Sequence, residues 1–159
     1  MTRTAAVLVA STRAAAGTYE DRTGPMIVEW LRQRGFEVTE PLVVADAAIA
    51  AALAELLSQH PDVLLTTGGT GVSPDDRTPE ATRALLNAEL PGIVEEVRRR
   101  GAAVVPTAVL SRGIAGVAGR TFVMNLPGSA GGVRDGLGVL DGVLDHLLDQ
   151  LGGGDHARP

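Results

Sequence analysis

A length of 159 residues and a hydrophobic content of 45% fit one domain with a single core, and the scarcity of aromatic side chains (one Trp, one Tyr, two Phe) predicts an aliphatic α/β fold. The net charge of −5 argues against a nucleic-acid binder, which would usually carry a basic face. The chain contains neither cysteine nor lysine, which excludes disulfides, thiolate metal sites, a cysteine nucleophile, a Schiff-base mechanism and the Walker A phosphate loop.

Strands and helices alternate along the predicted chain. In chain order we expect a strand at 4–10, a helix from 26 to a break at 35, a strand at 36–44, a helix at 47–58, a strand at 63–65, helices at 79–87 and 91–100, a strand at 120–126 and one long helix at 131–151. Pro41 places the second strand at a sheet edge or ends its pairing early. The alternation favours an α/β domain with a mostly parallel sheet, while 106–119 stays open between a loop, a short strand and a helical turn.

The segment 66–81, TTGGTGVSPDDRTPEA, joins a buried strand to a helix and carries the strongest chemical signal. Its glycines allow φ > 0 and close approach of main-chain amides to an anion, its threonines add hydroxyl donors, and its aspartates add carboxylates. These residues are Thr66, Thr67, Gly68, Gly69, Thr70, Gly71, Asp75 and Asp76. Thr78 is expected to cap the next helix, with Pro79 at its first position. The pattern indicates phosphate and metal binding, although a tight strand-to-helix turn would use the same glycines and threonines.

Other polar residues follow predicted strands, where an open α/β sheet binds its ligands. Ser11 follows the first strand, and Asp46 follows the second, where it is expected as a helix N-cap, a functional acid or both. A second strand-loop-helix unit contains NLPGS at 125–129, in which Ser129 is either an N-cap or a phosphate ligand. The arginines at 98–100 are expected to complement the dipole of their helix or to line a rim that attracts anions.

These segments closely resemble the signatures of the MogA/MoaB family of molybdenum-cofactor biosynthesis proteins, which also occur in the G domain of gephyrin. The resemblance runs in the family's order from Ser11 and Asp46 through TTGGTG and the SRG at 111–113 to NLPGS. It implies a three-layer α/β sandwich with a mostly parallel central sheet flanked by helices, assembled as a homotrimer or a hexamer. It also implies binding of molybdopterin and, in the MogA branch, adenylation of molybdopterin with Mg-ATP to adenylyl-molybdopterin and pyrophosphate.

The resemblance assigns roles to individual residues. Asp46 and Asp76 would be the catalytic carboxylates that hold Mg²⁺ and ATP. The substrate-binding residues would be Ser11, Thr67, Gly68, Gly69, Thr70, Gly71, Ser111, Asn125, Pro127, Gly128 and Ser129. Many relatives have Arg-Asp where this chain has Asp75-Asp76, so that Asp75 replaces a cation. The alternative is a non-catalytic protein of the MoaB type, which binds molybdopterin and presents it to a partner.

The remaining expectations concern organisation and partners. One molybdopterin-binding domain is expected at 1–151, with a flexible C-terminal tail at 152–159. A molybdenum insertase of the MoeA type would receive the adenylated product. The acidic charge argues against nucleic acid as a partner. The apolar run at the N-terminus is too short for a membrane span and reads as a buried strand rather than a signal peptide, so a cytoplasmic protein is expected.

Overall fold

A seven-stranded sheet forms the centre of the computed structural model, which describes residues 1–154. The strands are β1 (Thr4–Ala10), β2 (Glu37–Val38), β3 (Leu42–Val44), β4 (Val63–Thr67), β5 (Ala88–Glu89), β6 (Ala115–Ala118) and β7 (Thr121–Leu126). Parallel pairing joins β1 to β4 and β4 to β7, and both β2 and β3 pair in parallel with β1. Only β6 and β5 run antiparallel to their neighbours among the described residues. The expected mostly parallel sheet is confirmed.

Helices cover both faces of this sheet. They are α1 (Thr12–Ala15), α2 (Thr23–Gln33), α3 (Ile49–Ser58), α4 (Thr78–Arg83), α5 (Pro91–Ala102), α6 (Ala130–Asp141) and α7 (Leu144–Leu151), with 3₁₀ turns at Asp46–Ala48 and Pro106–Leu110. One face of the sheet packs against α2, α5, α6 and α7, and the other against α3 and α4. Successive residues of β1, such as Val7 and Leu8, belong to opposite cores because side chains alternate along a strand. The three-layer α/β architecture is confirmed. No helix in the described part of the chain is long and apolar enough to cross a membrane.

The strand expected at 36–44 is present as two short strands. Glu37 of β2 lies opposite Thr4 near the start of β1, and Leu42 of β3 lies opposite Leu8 near its end. The gap between them contains Pro41, which has no N–H to donate to a neighbouring strand. The expected effect of Pro41 on strand pairing is therefore confirmed.

The single long helix expected at 131–151 is wrong, because α6 ends at Asp141 and α7 begins at Leu144. Gly142, a poor helix former, lies at the C-cap of α6. Val143, expected on the buried stripe, is 39% exposed, whereas Leu144 and Leu148 remain buried. The break at Gly142 lets the chain change direction while α7 still packs its leucines on the core.

The helix after the glycine-rich loop also differs from expectation. It begins at Thr78 and ends at Arg83, after which residues 88–89 rejoin the sheet as β5. Thr78 is therefore not the N-cap, and its hydroxyl is buried without a hydrogen-bond partner in the described part of the chain. The reason is its place beneath the loop, where the amide of Thr78 donates to the carbonyl of Gly69 at 3.2 Å.

The segment at 106–119, for which several structures remained open, contains the second 3₁₀ turn and β6. A turn at Gly119, with φ of 59°, joins β6 to β7 as a hairpin. Of the tail expected at 152–159, residues 155–159 lie outside the described residues.

Candidate active site at the carboxyl ends of the parallel strands

The loops that carry most of the predicted site residues leave one edge of the sheet. β1, β3, β4 and β7 are parallel, so their carboxyl ends lie at this shared edge. β3 and β4 lie on opposite sides of β1, so the strand order reverses at β1. Ligand crevices of open α/β sheets form at such reversals, outside the carboxyl ends of the strands.

A cavity of about 740 Å³ opens beside these loops. Its wall comes from the loops after β4 and β7, the beginning of α6, the later half of α5 and the 3₁₀ turn at 106–110. Most predicted site residues border it: Gly68, Gly69, Thr70, Gly71, Asp76, Ser111, Asn125, Pro127, Gly128 and Ser129. Three others, Ser11, Asp46 and Thr67, are not part of the wall. The volume is in the range of small-molecule sites, about 300–1,000 Å³.

The glycine-rich loop after β4 accepts only glycine at its first two positions. Gly68 and Gly69 have φ of 88° and 67°. A β-carbon on Gly68 would lie 2.3 Å from the carbonyl oxygen of Ala10, and one on Gly69 would lie 2.3 Å from Thr78 Oγ1. Within residues 1–154, no acceptor bonds the amides at 69–71. Those amides are therefore available as donors to an anion.

The loop after β7 touches the glycine-rich loop. A β-carbon on Gly128 would lie 3.4 Å from the Cα of Gly68. The hydroxyl of Ser129 accepts the amide of Gly132 at 3.1 Å, which confirms the N-cap interpretation for α6. The amides at 128–129 have no acceptor in the part of the chain that the structure describes. Two amide-rich turns and a helix N-terminus thus meet at one end of the cavity.

Arg112 holds the glycine-rich loop from a neighbouring segment. Its main-chain amide donates to the carbonyl of Thr70 at 2.8 Å. Its guanidinium donates to the carbonyls of Gly71 at 2.8 Å and Asp76 at 3.0 Å, and to Oε1 of Glu80 at 2.5 Å. The sequence marks Arg112 only through the LSR element, and the tertiary contacts alone reveal its positioning role.

Arginine contacts also change the acidity of two glutamates. The hydrogen bond from Arg112 is the largest cause that holds the pKa of Glu80 below its ordinary value of 4.5. Hydrogen bonds from Arg99 and Arg100 lower the pKa of Glu96 to about 2. Glu80 therefore stays charged, and paired with Arg112, in mildly acidic solution.

The two predicted catalytic acids occupy different places. Asp76 is half-buried on the cavity wall, and its Oδ2 accepts the amide of Ser73 at 3.2 Å. Asp46 lies in the 3₁₀ turn after β3, where its Oδ2 accepts the hydroxyl of Thr12 at 2.8 Å. The carboxylate of Asp46 thus holds the loop after β1, and the helix-cap alternative for Asp46 is wrong because no side chain caps α3.

The donor set for a metal is sparse. No group of three or more His, Asp or Glu side chains suited to a metal occurs in residues 1–154. Mg²⁺ is usually bound by one or two carboxylates, with substrate phosphates and water as the other ligands. Asp76, on the cavity wall, can supply one carboxylate to such a site, whereas Asp46 lies outside the wall with its Oδ2 bonded to Thr12, and these two acids do not make an all-protein cage.

The side chain of Asn125 forms its hydrogen bonds with buried groups of the protein. Its Nδ2 donates to the hydroxyls of Thr66 at 3.0 Å and Thr82 at 2.9 Å, and its Oδ1 accepts the amide of Ile114 at 3.2 Å. These bonds connect β7, β4, α4 and the segment before β6. The side chain of Asn125 therefore braces the cavity wall from behind.

Two predicted hydroxyl ligands also make internal bonds. The buried hydroxyl of Thr67 donates to the carbonyl of Pro127 at 2.7 Å, which ties the loop after β4 to the loop after β7. The hydroxyl of Ser11 accepts the amide of Ala14 at 3.2 Å and caps α1. By contrast, the hydroxyls of Thr70 and Ser111 border the cavity and have no partner in residues 1–154.

Arg134 and Asp135, to which the sequence assigned no site role, also border the cavity, as does Arg98, for which a rim that attracts anions was one of two expected roles. Arg98 donates to the carbonyls of Ser111 and Gly113, both at 3.2 Å. A usable signal was its position four residues after Val94, which puts both on the cavity side of α5. The exposed Arg134 and half-buried Asp135 had no comparable signal in the sequence.

A sequence profile described as the probable molybdopterin binding domain matches residues 6–146. This chain belongs to that family. Within the family, the molybdopterin adenylyltransferase of Escherichia coli K12 is 36% identical over 140 residues, which cover 85% of this chain and 70% of that protein. The chain spans about half the length of two longer curated relatives, each named a molybdenum cofactor biosynthesis bifunctional protein.

Solved structures of this molybdopterin-binding family superpose on most of the chain. The molybdopterin biosynthesis Mog protein from Mycobacterium ulcerans is 53% identical, with a TM-score of 0.89 and coverage of 94% of this chain and 99% of that chain. The molybdopterin biosynthesis enzyme MoaB from Thermus thermophilus is 42% identical, with a TM-score of 0.86 and coverage of 96% and 98%. The MogA/MoaB relationship expected from the motifs is confirmed.

Proposed function

We propose that this chain binds molybdopterin and adenylates it with Mg-ATP, giving adenylyl-molybdopterin and pyrophosphate. The contact between the two amide-rich turns, at 68–71 and 127–129, carries this proposal. The reaction needs two phosphate groups side by side, and the amides at 69–71 and 128–129, which have no acceptor in residues 1–154, are suited to hold them. The similarity to the adenylyltransferase of E. coli supports the same activity.

The reaction asks the protein mainly to position its substrates. An oxygen of the terminal phosphate of molybdopterin attacks the α-phosphorus of ATP, so that a new P–O bond forms while the bond to the departing pyrophosphate breaks. The loop amides would hold the phosphates in line for this displacement. Magnesium, when bound, would neutralise charge on the pyrophosphate. We assign Asp76 and Asp46 as its carboxylate ligands, with phosphate oxygens and water as the others.

We divide the remaining predicted residues into those that contact the ligand and those that support the loops around it. Among the predicted residues, Thr70 and Ser111 border the cavity with hydroxyls that have no partner in residues 1–154, so we assign them to substrate phosphate or pterin. We assign Thr67, Asn125 and Ser11 to holding the loops that face the ligand. We further propose a cytoplasmic homotrimer, or a hexamer, that passes its product to a molybdenum insertase of the MoeA type.

A binding protein without turnover is the second candidate, favoured by the similarity to MoaB and by Asp75 in place of the commoner arginine. The position of Asp75 weakens that second point. Its side chain is exposed and does not border the cavity. The reversed charge therefore faces solvent, and the cavity wall keeps Asp76.

Pyrophosphate release from Mg-ATP on addition of molybdopterin tests the proposal. The native protein should turn over, Asp76→Asn and Asp46→Asn should lose at least about 100-fold in rate, roughly the effect of removing one charge-stabilising group, and the exposed control Asp75→Asn should stay close to native. Molybdopterin affinity should survive in the Asp76 variant, which separates catalysis from binding. A native protein that binds molybdopterin and releases no pyrophosphate would establish the binding-only function instead.

A further inference from the structure

The cavity has a second end with a different chemistry. We call residues 68–71 and 127–129 the donor end, and Asp135 with the wall formed by Gly101 and the 3₁₀ turn at 106–110 the acceptor end. Asp135 lies six residues after Ser129 in α6, about 9 Å farther along the helix at 1.5 Å per residue. Its Oδ2 is 3.6 Å from the position of a β-carbon on Gly101.

Asp135 has an unusual environment for an acid in this protein. The other half-buried acids in residues 1–154 each accept a hydrogen bond; they are Asp21, Asp46, Asp62, Asp76 and Glu96. Every other acid without a hydrogen bond or ion pair in that range is exposed. Asp135 alone there is both half-buried and without a hydrogen bond or an ion pair. The carboxylate of Asp135 therefore has solvent as its remaining source of donors, and a ligand with N–H groups could replace that solvent.

The ends of α5 and α6 add to the chemical difference between the donor end and the acceptor end. Gly101 lies in the last turn of α5, where helix carbonyls carry partial negative charge, although the carbonyl of Gly101 itself accepts the amides of Val104 at 3.0 Å and Val105 at 2.8 Å. The first turn of α6 presents N–H groups at the donor end. Between them, Val97, Val105 and Leu110 provide an apolar wall. The cavity is therefore suited to an elongated ligand with an anionic group at one end and a flat, N–H-rich group at the other.

We infer that Asp135 determines specificity for the pterin ring by accepting hydrogen bonds from its amino group and the adjacent ring N–H. This inference rests on the proposed function, in which the phosphate of molybdopterin occupies the donor end. The two donors of the ring lie side by side and match the two oxygens of one carboxylate, while the apolar wall packs on the flat face. Adenine presents an amino donor beside an acceptor nitrogen, so the acceptor end selects pterin over the nucleotide base.

Two pteridines without a phosphate provide the test, because they differ only at the position that Asp135 would contact. Pterin carries the 2-amino group, and lumazine carries an oxo group there. Native protein should bind pterin roughly 10- to 100-fold more tightly than lumazine, as expected for hydrogen bonds to a charged acceptor. Asp135→Asn should lose most of that preference and a similar factor in molybdopterin affinity, with ATP affinity unchanged.

The exposed acid Glu95, on α5 and outside the cavity wall, offers a matched control in Glu95→Gln, which should keep the native preference. Equal binding of pterin and lumazine by native protein would overturn the inference, as would native discrimination in Asp135→Asn. Adenylation by native protein would leave the proposed function intact in both cases. If Asp135→Asn failed to fold, equal binding of the two pteridines by native protein would still overturn the inference.

Discussion

The donor end and the acceptor end of the cavity are built in different ways. The donor end consists of two short runs of consecutive residues. Arg112 holds the first run by bonds to the carbonyls of Thr70 and Gly71, and the hydroxyl of Thr67 holds the second by its bond to the carbonyl of Pro127. The acceptor end collects α5, the 3₁₀ turn at 106–110 and α6, and within residues 1–154 it leaves the carboxylate of Asp135 without a partner.

This difference separates two tasks of the site. In the proposed reaction phosphate is common to ATP and molybdopterin, so the main-chain amides of the donor end would serve both. Recognition of the ring needs a side chain with a particular donor or acceptor pattern. We therefore expect changes at the donor end to affect folding and all phosphate ligands, and changes at the acceptor end to affect pterin ligands alone.

The largest expected effect is at the donor end. Gly68→Ala places a β-carbon against the carbonyl of Ala10 at a residue with φ of 88°. The free energy of unfolding should fall by about 2 to 4 kcal/mol from strain and overlap, and adenylation should become undetectable. Urea denaturation and pyrophosphate release measure the two effects. Gly92→Ala, where nothing lies within 4 Å of the added carbon, should remain near native. Native stability in Gly68→Ala would show that the glycine-rich loop tolerates a side chain at this position. It would contradict the expected difference between the donor end and the acceptor end.

A smaller and more selective effect is expected at the acceptor end. Leu110 is 54% exposed, so Leu110→Ser should change the free energy of unfolding by less than about 0.5 kcal/mol. Molybdopterin affinity should fall roughly fivefold, from the loss of about 40 Å² of apolar contact with the ring. ATP affinity should not change. Titration calorimetry with each ligand is the measurement, and Val72→Ser, exposed and outside the cavity, is the control. A parallel loss of ATP affinity would contradict the division between the ends.

The smallest expected effect concerns the pH dependence of the ion pair between Arg112 and Glu80, beside the donor end. Arg112 lowers the folded-state pKa of Glu80 below 4.5, so the pair stabilises the fold above that pH and loses its contribution as the pH falls through the folded pKa. Because Glu80 is largely exposed, the contribution is at most about 1 kcal/mol. The stability difference between native protein and Glu80→Gln should therefore shrink when urea denaturation is repeated below pH 4.5. Glu55→Gln, which removes an exposed acid without a partner in residues 1–154, should show no such trend. If the stability difference between native protein and Glu80→Gln stayed constant with pH, Arg112 would hold the glycine-rich loop through its bonds to main-chain carbonyls alone.

Local sequence was a good guide wherever one element or one loop decided the outcome. The first strand, the effect of Pro41 on pairing and the N-cap role of Ser129 all follow from neighbouring residues, and all were predicted. The long helix at 131–151 failed because the pattern of leucines continues across Gly142, while the chain bends there. The cap expected at Thr78 failed because that hydroxyl packs beneath the glycine-rich loop, a contact that local sequence does not encode.

Periodicity, glycines and motifs of consecutive residues were enough to predict the fold class, the family and the donor end. Three contacts could be seen only in the folded molecule: Arg112 bonds the glycine-rich loop, Asn125 faces inward, and Asp46 bonds Thr12 instead of bordering the cavity. The structure also places Asp135 of α6 next to Gly101 of α5, with Oδ2 3.6 Å from the position of a β-carbon on Gly101. The physical reason is that these contacts join residues far apart in the chain, and packing of whole helices and loops brings them together.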